Sequence, residues 1–223
     1  MAGSSRSRRT QFLLVTALVL WFLVALGASL SGVLAQVRRS EPPTLLALAI
    51  GAPIVVFLLW YAGSVALRRF LLSLDVGRLV GVQLYRVIGG VFLVLYYQHT
   101  LPGSFALPAG LGDVLAGVTA PVLAMAMSSN YPLSRRLVVL WCIFGIADLV
   151  AAITLGVLNS RSSLGLLAGD VTTAPMSTFP LSLIPTYLVP VSVILHLITL
   201  RRVLRSVNDR STHLDLPRAA SAR

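Results

Sequence analysis

Hydrophobic positions along this chain come in long unbroken runs. They do not form the stripes of period 3.6 or 2 that mark half-buried helices and strands. The runs cover roughly 11–36, 44–67, 79–99, 104–127, 136–158 and 179–201. Each reaches the roughly 20 residues that an α-helix needs to cross a bilayer. Pro42-Pro43, Pro102-Gly103 and Asn130-Tyr131-Pro132 punctuate the connections between them. The pattern predicts an all-α, multi-pass transmembrane helical bundle of about six spans, a single integral-membrane domain over 1–203. The stretch 204–223 is polar and basic and reads as a disordered cytoplasmic tail.

Composition agrees with the pattern. Of 223 residues, 57% are hydrophobic and 11% charged, against about 25% charged in an ordinary soluble domain. Mean hydropathy is +0.88. The net charge of +11 would invite a nucleic-acid reading, but its placement argues otherwise. Arginines stand in pairs at the ends of apolar runs: Arg8-Arg9, Arg38-Arg39, Arg68-Arg69, Arg135-Arg136 and Arg201-Arg202. Topology determinants and headgroup anchors are placed this way. The expected partner is therefore the lipid bilayer, and no nucleic acid.

The same arginines set the orientation. With a cytoplasmic N-terminus, Arg38, Arg39 and Arg161 lie outside, Arg86 lies within span 3, and every other arginine lies inside. The positive-inside rule then gives N- and C-termini both cytoplasmic. All 18 basic residues are arginine and none is lysine, which reads as the bias of a GC-rich, bacterial genome. The expected location is the bacterial inner membrane. Span 1, with Arg6–Arg9 before it and GVLAQ at its end, resembles a signal peptide cleaved after Ala35. Its apolar run is long for such a peptide, which favours a retained anchor. Cys142 has no second cysteine to pair with and reads as a small packing residue.

Polar residues inside the runs carry whatever chemistry there is. GLGDVLAGVTAPVL (110–123) and GIADLVAAITLGVL (145–158) both read Gly-x-x-Asp-x-x-Ala-x-x-Thr-x-x-Val-Leu. Asp113 matches Asp148, Gly110 matches Gly145, and Thr119 matches Thr154. Adjacent spans cross in opposite directions, so the similarity between spans 4 and 5 would be inverted, an arrangement that recurs in transporters. Helical spacing puts Gly110, Asp113 and Gly117 on one face, and Gly145, Asp148 and Ala152 on another. Small residues there let backbones approach, and the carboxylates should face the bundle interior.

A charge at the bilayer centre costs at least ~2.5–3.5 kcal/mol unless it is partnered or hydrated. Two other ionisable side chains lie well inside the spans, Arg86 in span 3 and His196 in span 6. At 1.5 Å of rise per residue, Arg86 sits roughly 10 Å in from the cytoplasmic end of its span. Its long side chain can reach either carboxylate, Asp148 slightly more easily. The residues read as a vertical series, with Asp113 above, Asp148 central, and Arg86 and His196 below. Gly89 and Gly90 leave room near Arg86, and Ser192, His196 and Thr199 share a stripe. Such a series is a proton or ion path, or a buried network that fixes helix register.

Span 6 carries Pro180, Pro185 and Pro190. Pro180 suits a helix start, while Pro185 and Pro190 each remove a backbone hydrogen bond and should bend the helix. The loop before it, NSRSSLGLLAGDVTTAPMST, is long enough to have a role of its own. It offers a lid or re-entrant segment, with Asp170 as a solute contact.

No phosphate-binding loop, HExxH, cysteine pair or Gly-x-Ser-x-Gly occurs. His99 and His196 fall in opposite halves of the membrane, which argues against a haem. No cofactor and no metal is expected, and the reading leans away from an enzyme. The leading expectation is a small proton-coupled secondary transporter or permease built on Arg86, Asp113, Asp148 and His196. Thr119, Thr154, Gly110, Gly145, Pro185 and Pro190 support it. The alternative is a membrane scaffold or accessory subunit, a homo-oligomer or bound to a membrane partner, whose polar network specifies packing. An intramembrane enzyme acting on lipid has the least support.

Overall fold

The computed structural model describes residues 2–36, 40–128 and 132–214. These are mainly helical, with one long connection over 159–183, and contain no strand. Arg38, Arg39, Asn130 and Tyr131 lie outside the described residues. Six helical stretches are long and apolar enough to cross a membrane: 8–30, 44–63, 76–97, 103–127, 135–158 and 184–205. The protein is thus a multi-pass helical membrane protein.

Helix α1 (Ala2–Leu30) stops short of the expected residue 36. Gly32 adopts φ 70°, a left-handed conformation that ends the helix, and a 3₁₀ turn follows over Val33–Ala35. Helix α2 (Thr44–Gly63) ends before the expected residue 67. Ser64 leaves the helix with extended geometry, and its side chain caps α3 (Val65–Ser73) by accepting from the Leu67 N–H. Leu67 and Leu71 are buried, whereas Arg69 is exposed, so α3 is an amphipathic turn rather than part of a span.

Span 3 is not one α-helix. Asp75 caps α4 (Val76–Gly81), a 3₁₀ stretch covers Val82–Gly90, and α5 (Val91–Tyr97) completes it. Runs of 3₁₀ geometry longer than 3–4 residues are uncommon. Its period of three is what matters here. Gln83, Arg86 and Gly89 are its buried residues and stand in one line. A strict α-helix would spread them around the axis.

Helices α6 (Gly103–Ser128) and α7 (Pro132–Leu158) pack on each other, and α6 also packs along the 3₁₀ stretch. Gly117 allows the second contact. A Cβ there would lie 2.7 Å from the Val87 backbone nitrogen and 3.2 Å from the Leu84 carbonyl.

Span 6 starts later than residue 179. The Phe179–Pro180 bond is cis, and Pro180 belongs to a turn rather than a helix start. A π-helical segment, Ile184–Leu188, holds Pro185 near its N-terminus and leads into α8 (Val189–Leu214), with Pro190 in its first turn. Neither proline therefore interrupts an established α-helix. Helix α8 runs through Leu214, so 204–214 is helical where a disordered tail was expected, and 215–223 lie outside the described residues.

Two apolar clusters bracket the bundle. At one end Val80, Ala120, Val138, Trp141, Cys142 and Val203 pack together, which gives Cys142 the packing role its sequence context implies. At the other end lie Phe92, Phe105, Ala106, Ala109 and Met176. Along their helices, Gln83, Arg86, Asp113, Asp148, Ser192 and His196 fall between these clusters.

Candidate functional site

Arg86 is the centre of the polar residues. It is 3% exposed and projects from the 3₁₀ stretch toward α6, α7 and α8. Its Nε donates to Asp113 Oδ1 at 2.8 Å, and Nη2 stands 2.7 Å from the same oxygen. Nη2 also donates to Asp148 Oδ2. Nη1 meets His196 Nε2 at 3.2 Å. One guanidinium thus holds both aspartates and the histidine, which come from three different helices. The sequence-predicted residues converge, but as a cluster around Arg86 rather than as a vertical series.

Small residues make this possible, and not all of them were expected. Gly145 faces His196: a Cβ there would collide with the imidazole and lie 3.0 Å from Arg86 Nη1. Gly112, a non-matching position of the repeated motif, lies against the Asp148 carboxylate. Gly89 lies against Asp113 rather than making room for the guanidinium. Gly110 packs against Leu93, with the Gly89 carbonyl 3.4 Å from a Cβ placed there, and so supports the helix contact rather than the charges.

His196 is fully buried, as are Ser192 and Thr199 on its stripe. Its ring centroid lies 4.7 Å from that of Trp141. The Trp141 indole N–H donates to Thr119 Oγ1 (3.1 Å) and to the Ala116 carbonyl (3.3 Å). Thr119 therefore acts on the cluster through Trp141 and His196. Its counterpart Thr154 is exposed and bonds only the Val150 carbonyl of its own helix. The motif twins are unequal in this respect.

Tyr85, Gln83 and Trp141 were not singled out from the sequence. Tyr85 OH lies 2.5 Å from Ser192 Oγ and donates to the Leu188 carbonyl at 3.3 Å. Gln83 Nε2 donates to the Ser192 carbonyl at 3.4 Å. Gln83 Oε1 and His196 Nδ1 are buried without a hydrogen-bond partner among the described residues. Such atoms are rare in folded proteins.

The aspartates differ in what they face. Asp113 lines a cavity of about 630 Å³, and Asp148 does not. The cavity runs between the Phe92, Phe105 and Met176 cluster and the connections at one end of the bundle. His99, Thr100, Arg161 and Asp170 stand around its mouth, and Ala152, Ile153, Ile184, Pro185 and Val189 form deeper wall. Asp170 is exposed there, as a solute contact would need. A void of about 20 Å³ adjoins its floor, between Tyr85, Arg86, Asp113 and Ser192. At the opposite end the Trp141 cluster closes the bundle.

The loop over 159–183 is pinned to the bundle by side-chain hydrogen bonds. Asn159 is buried, accepts from Ser104 Oγ (2.7 Å) and donates to the Leu155 carbonyl (2.9 Å). Thr173 Oγ1 donates to the Gly156 carbonyl at 2.6 Å. Leu164, Leu166 and Leu167 of SLGLLAG are exposed on the bundle surface. No cluster of three or more metal-ligating side chains occurs among the described residues.

Comparison with curated proteins finds no match, and neither does comparison with solved structures. A family model matches residues 42–204, which takes in Arg86, Asp113, Asp148, His196 and the whole cavity wall beyond Ala35. The chain belongs to that family, described as a domain of unknown function, DUF8737.

Proposed function

We propose that the protein is a small secondary transporter in which Arg86 and its carboxylates couple solute movement to protons. One observation carries the reading: Asp113, salt-bridged to the buried Arg86, forms part of the wall of a cavity of about 630 Å³. A purely structural ion pair has no need of access, and ligand sites have this size and this mix of apolar wall and few polar groups. One guanidinium is shared between two carboxylates. A small shift of Arg86 toward Asp148 would free Asp113, and a freed carboxylate among apolar residues takes up a proton or a cation.

The orientation read from the arginines puts the cavity mouth on the non-cytoplasmic side, and the Trp141 cluster would be the inner seal. The inverted similarity of α6 and α7 supports a device that alternates between the two sides. The 3₁₀ stretch around Arg86 and the π segment facing it are irregular helix turns of the kind that hinges use.

The test is pH-driven flux in proteoliposomes holding only this protein. Dissipation of a pH gradient that disappears in Asp113→Asn and Asp148→Asn supports the reading. Flux that survives both substitutions together sinks it. The second reading, a scaffold whose polar network specifies packing, is favoured by the mutual satisfaction of Arg86, Asp113 and Asp148. It predicts no flux from the purified protein and a stoichiometric membrane partner on purification.

A further inference from the structure

We infer that the cavity above Asp113 is a binding site for a hydrophobic organic monocation, such as an amine or onium carrying aromatic or alkyl groups. This deepens the transport reading by naming its solute class.

Charge comes first. The buried cluster sets one guanidinium against two carboxylates. Four of the five Arg86 N–H donors are directed at Asp113, Asp148 and His196, and both carboxylates already lie against the guanidinium, which leaves little for an anion. The acceptor side is not used up. Both contacts from Arg86 to Asp113 end on Oδ1, and Oδ2, which lies against Gly89, takes no hydrogen bond among the described residues. Asp113 is nine-tenths buried, and it is the charged group deep in the cavity. A cation arriving there meets a cluster in which two carboxylates share one guanidinium, in surroundings of low dielectric where a charge pair is strongest.

Shape and surface come second. The cavity volume of about 630 Å³ exceeds what a proton or a hydrated alkali ion requires. Its wall is apolar, with Ile50, Leu149, Ile153 and Val189 among the lining groups, and the edge-tilted pair Phe92 and Phe105 at 5.4 Å. Among the described residues, no group of three or more carboxylate, histidine or cysteine side chains stands together to replace the water around a small ion. Apolar wall, aromatic edge and one carboxylate suit a cation whose own surface is apolar. Asp170 at the mouth adds attraction for a cation, offset by Arg161 beside it.

The experiment measures binding apart from transport. Purified protein in detergent is dialysed to equilibrium against radiolabelled tetraphenylphosphonium, and against tetraphenylborate, an anion of the same shape. Protein-free micelles supply the blank. Saturable binding of the phosphonium alone, weakened about tenfold or more by Asp113→Asn, is the expected result. Because Asp113→Asn also unbalances Arg86, Ala152→Phe is tested beside it. That change fills the cavity and leaves the charges untouched, and it should abolish binding while the protein elutes and melts as the wild type does. Equal binding of both ions, no saturable phosphonium binding, or binding unaffected by Ala152→Phe would each overturn the inference. The transport reading fails separately: phosphonium that binds saturably but does not move the pH gradient of proteoliposomes leaves a binding site without transport. Proton flux dependent on Asp113 without phosphonium binding leaves transport with a different solute.

Discussion

Gly145 on α7 and His196 on α8 occupy a single space: the imidazole lies where a Cβ of residue 145 would be. Arg86 Nη1 is 3.0 Å from that same point. The absence of a side chain at residue 145 is therefore what lets His196 reach the guanidinium. Gly145→Ala should overpack the cluster and destabilise the protein by about 1–3 kcal/mol. Gly51→Ala, where a Cβ meets nothing within 4 Å, is the control and should be neutral or slightly stabilising. Thermal unfolding of both variants in detergent decides it. Equal melting temperatures would show that the α7–α8 contact yields freely.

Arg86 is the residue whose loss should be felt most. Arg86→Gln leaves two buried carboxylates facing each other, a change of about 3–5 kcal/mol against the fold. Adding Asp148→Asn removes one of the unpaired charges and should recover part of the loss. The measurement is a double-mutant cycle on unfolding. Strict additivity would mean that Arg86 and Asp148 do not act on each other.

The matched threonines should behave differently. Thr119→Val removes one of the two acceptors of the Trp141 indole, leaving the Ala116 carbonyl, and loosens the ring that packs on His196. A loss of about 0.5–1.5 kcal/mol is expected. Thr154→Val removes only a bond to its own helix turn at an exposed position and should lie within about 0.5 kcal/mol of wild type. Equal losses would make the two halves of the motif structurally equivalent.

Helix α1 is tied to the π segment at several points. Pro190 has no N–H to return to the Thr186 carbonyl, and Trp21 Nε1 donates there at 3.2 Å. Ser29 and Ser182 hydroxyls lie 2.5 Å apart, and Tyr187 packs edge-on to Trp21 at 4.9 Å. Trp21→Phe should cost about 1 kcal/mol in the wild type. In a Pro190→Ala background, where residue 190 regains its N–H, the same substitution should cost less. Identical losses in both backgrounds would separate the Trp21 bond from the proline.

The apolar runs were enough to read the number and class of spans, because a bilayer demands about 20 apolar residues of each helix whatever its neighbours are. Arg86, Asp113, Asp148 and His196 were legible too, since a charge inside such a run stands out and must find a partner. The ends of the spans were less so. Ser64, Gly32 and the turn at Pro180 end or begin helices through local backbone geometry, which hydropathy does not register.

Sequence by itself thus determined a helical membrane bundle with a buried charge cluster drawn from spans 3 to 6. Tertiary structure alone decided how that cluster is built. The three-residue period around Arg86 arises where span 3 and α6 pack closely through Gly117. Gly112 rather than Gly110 faces Asp148, and Trp141 links Thr119 to His196. Which aspartate sees the cavity was likewise settled by packing. Identical motif positions met different neighbours, and a side chain's surroundings depend on every helix packed around it, not on its own segment alone.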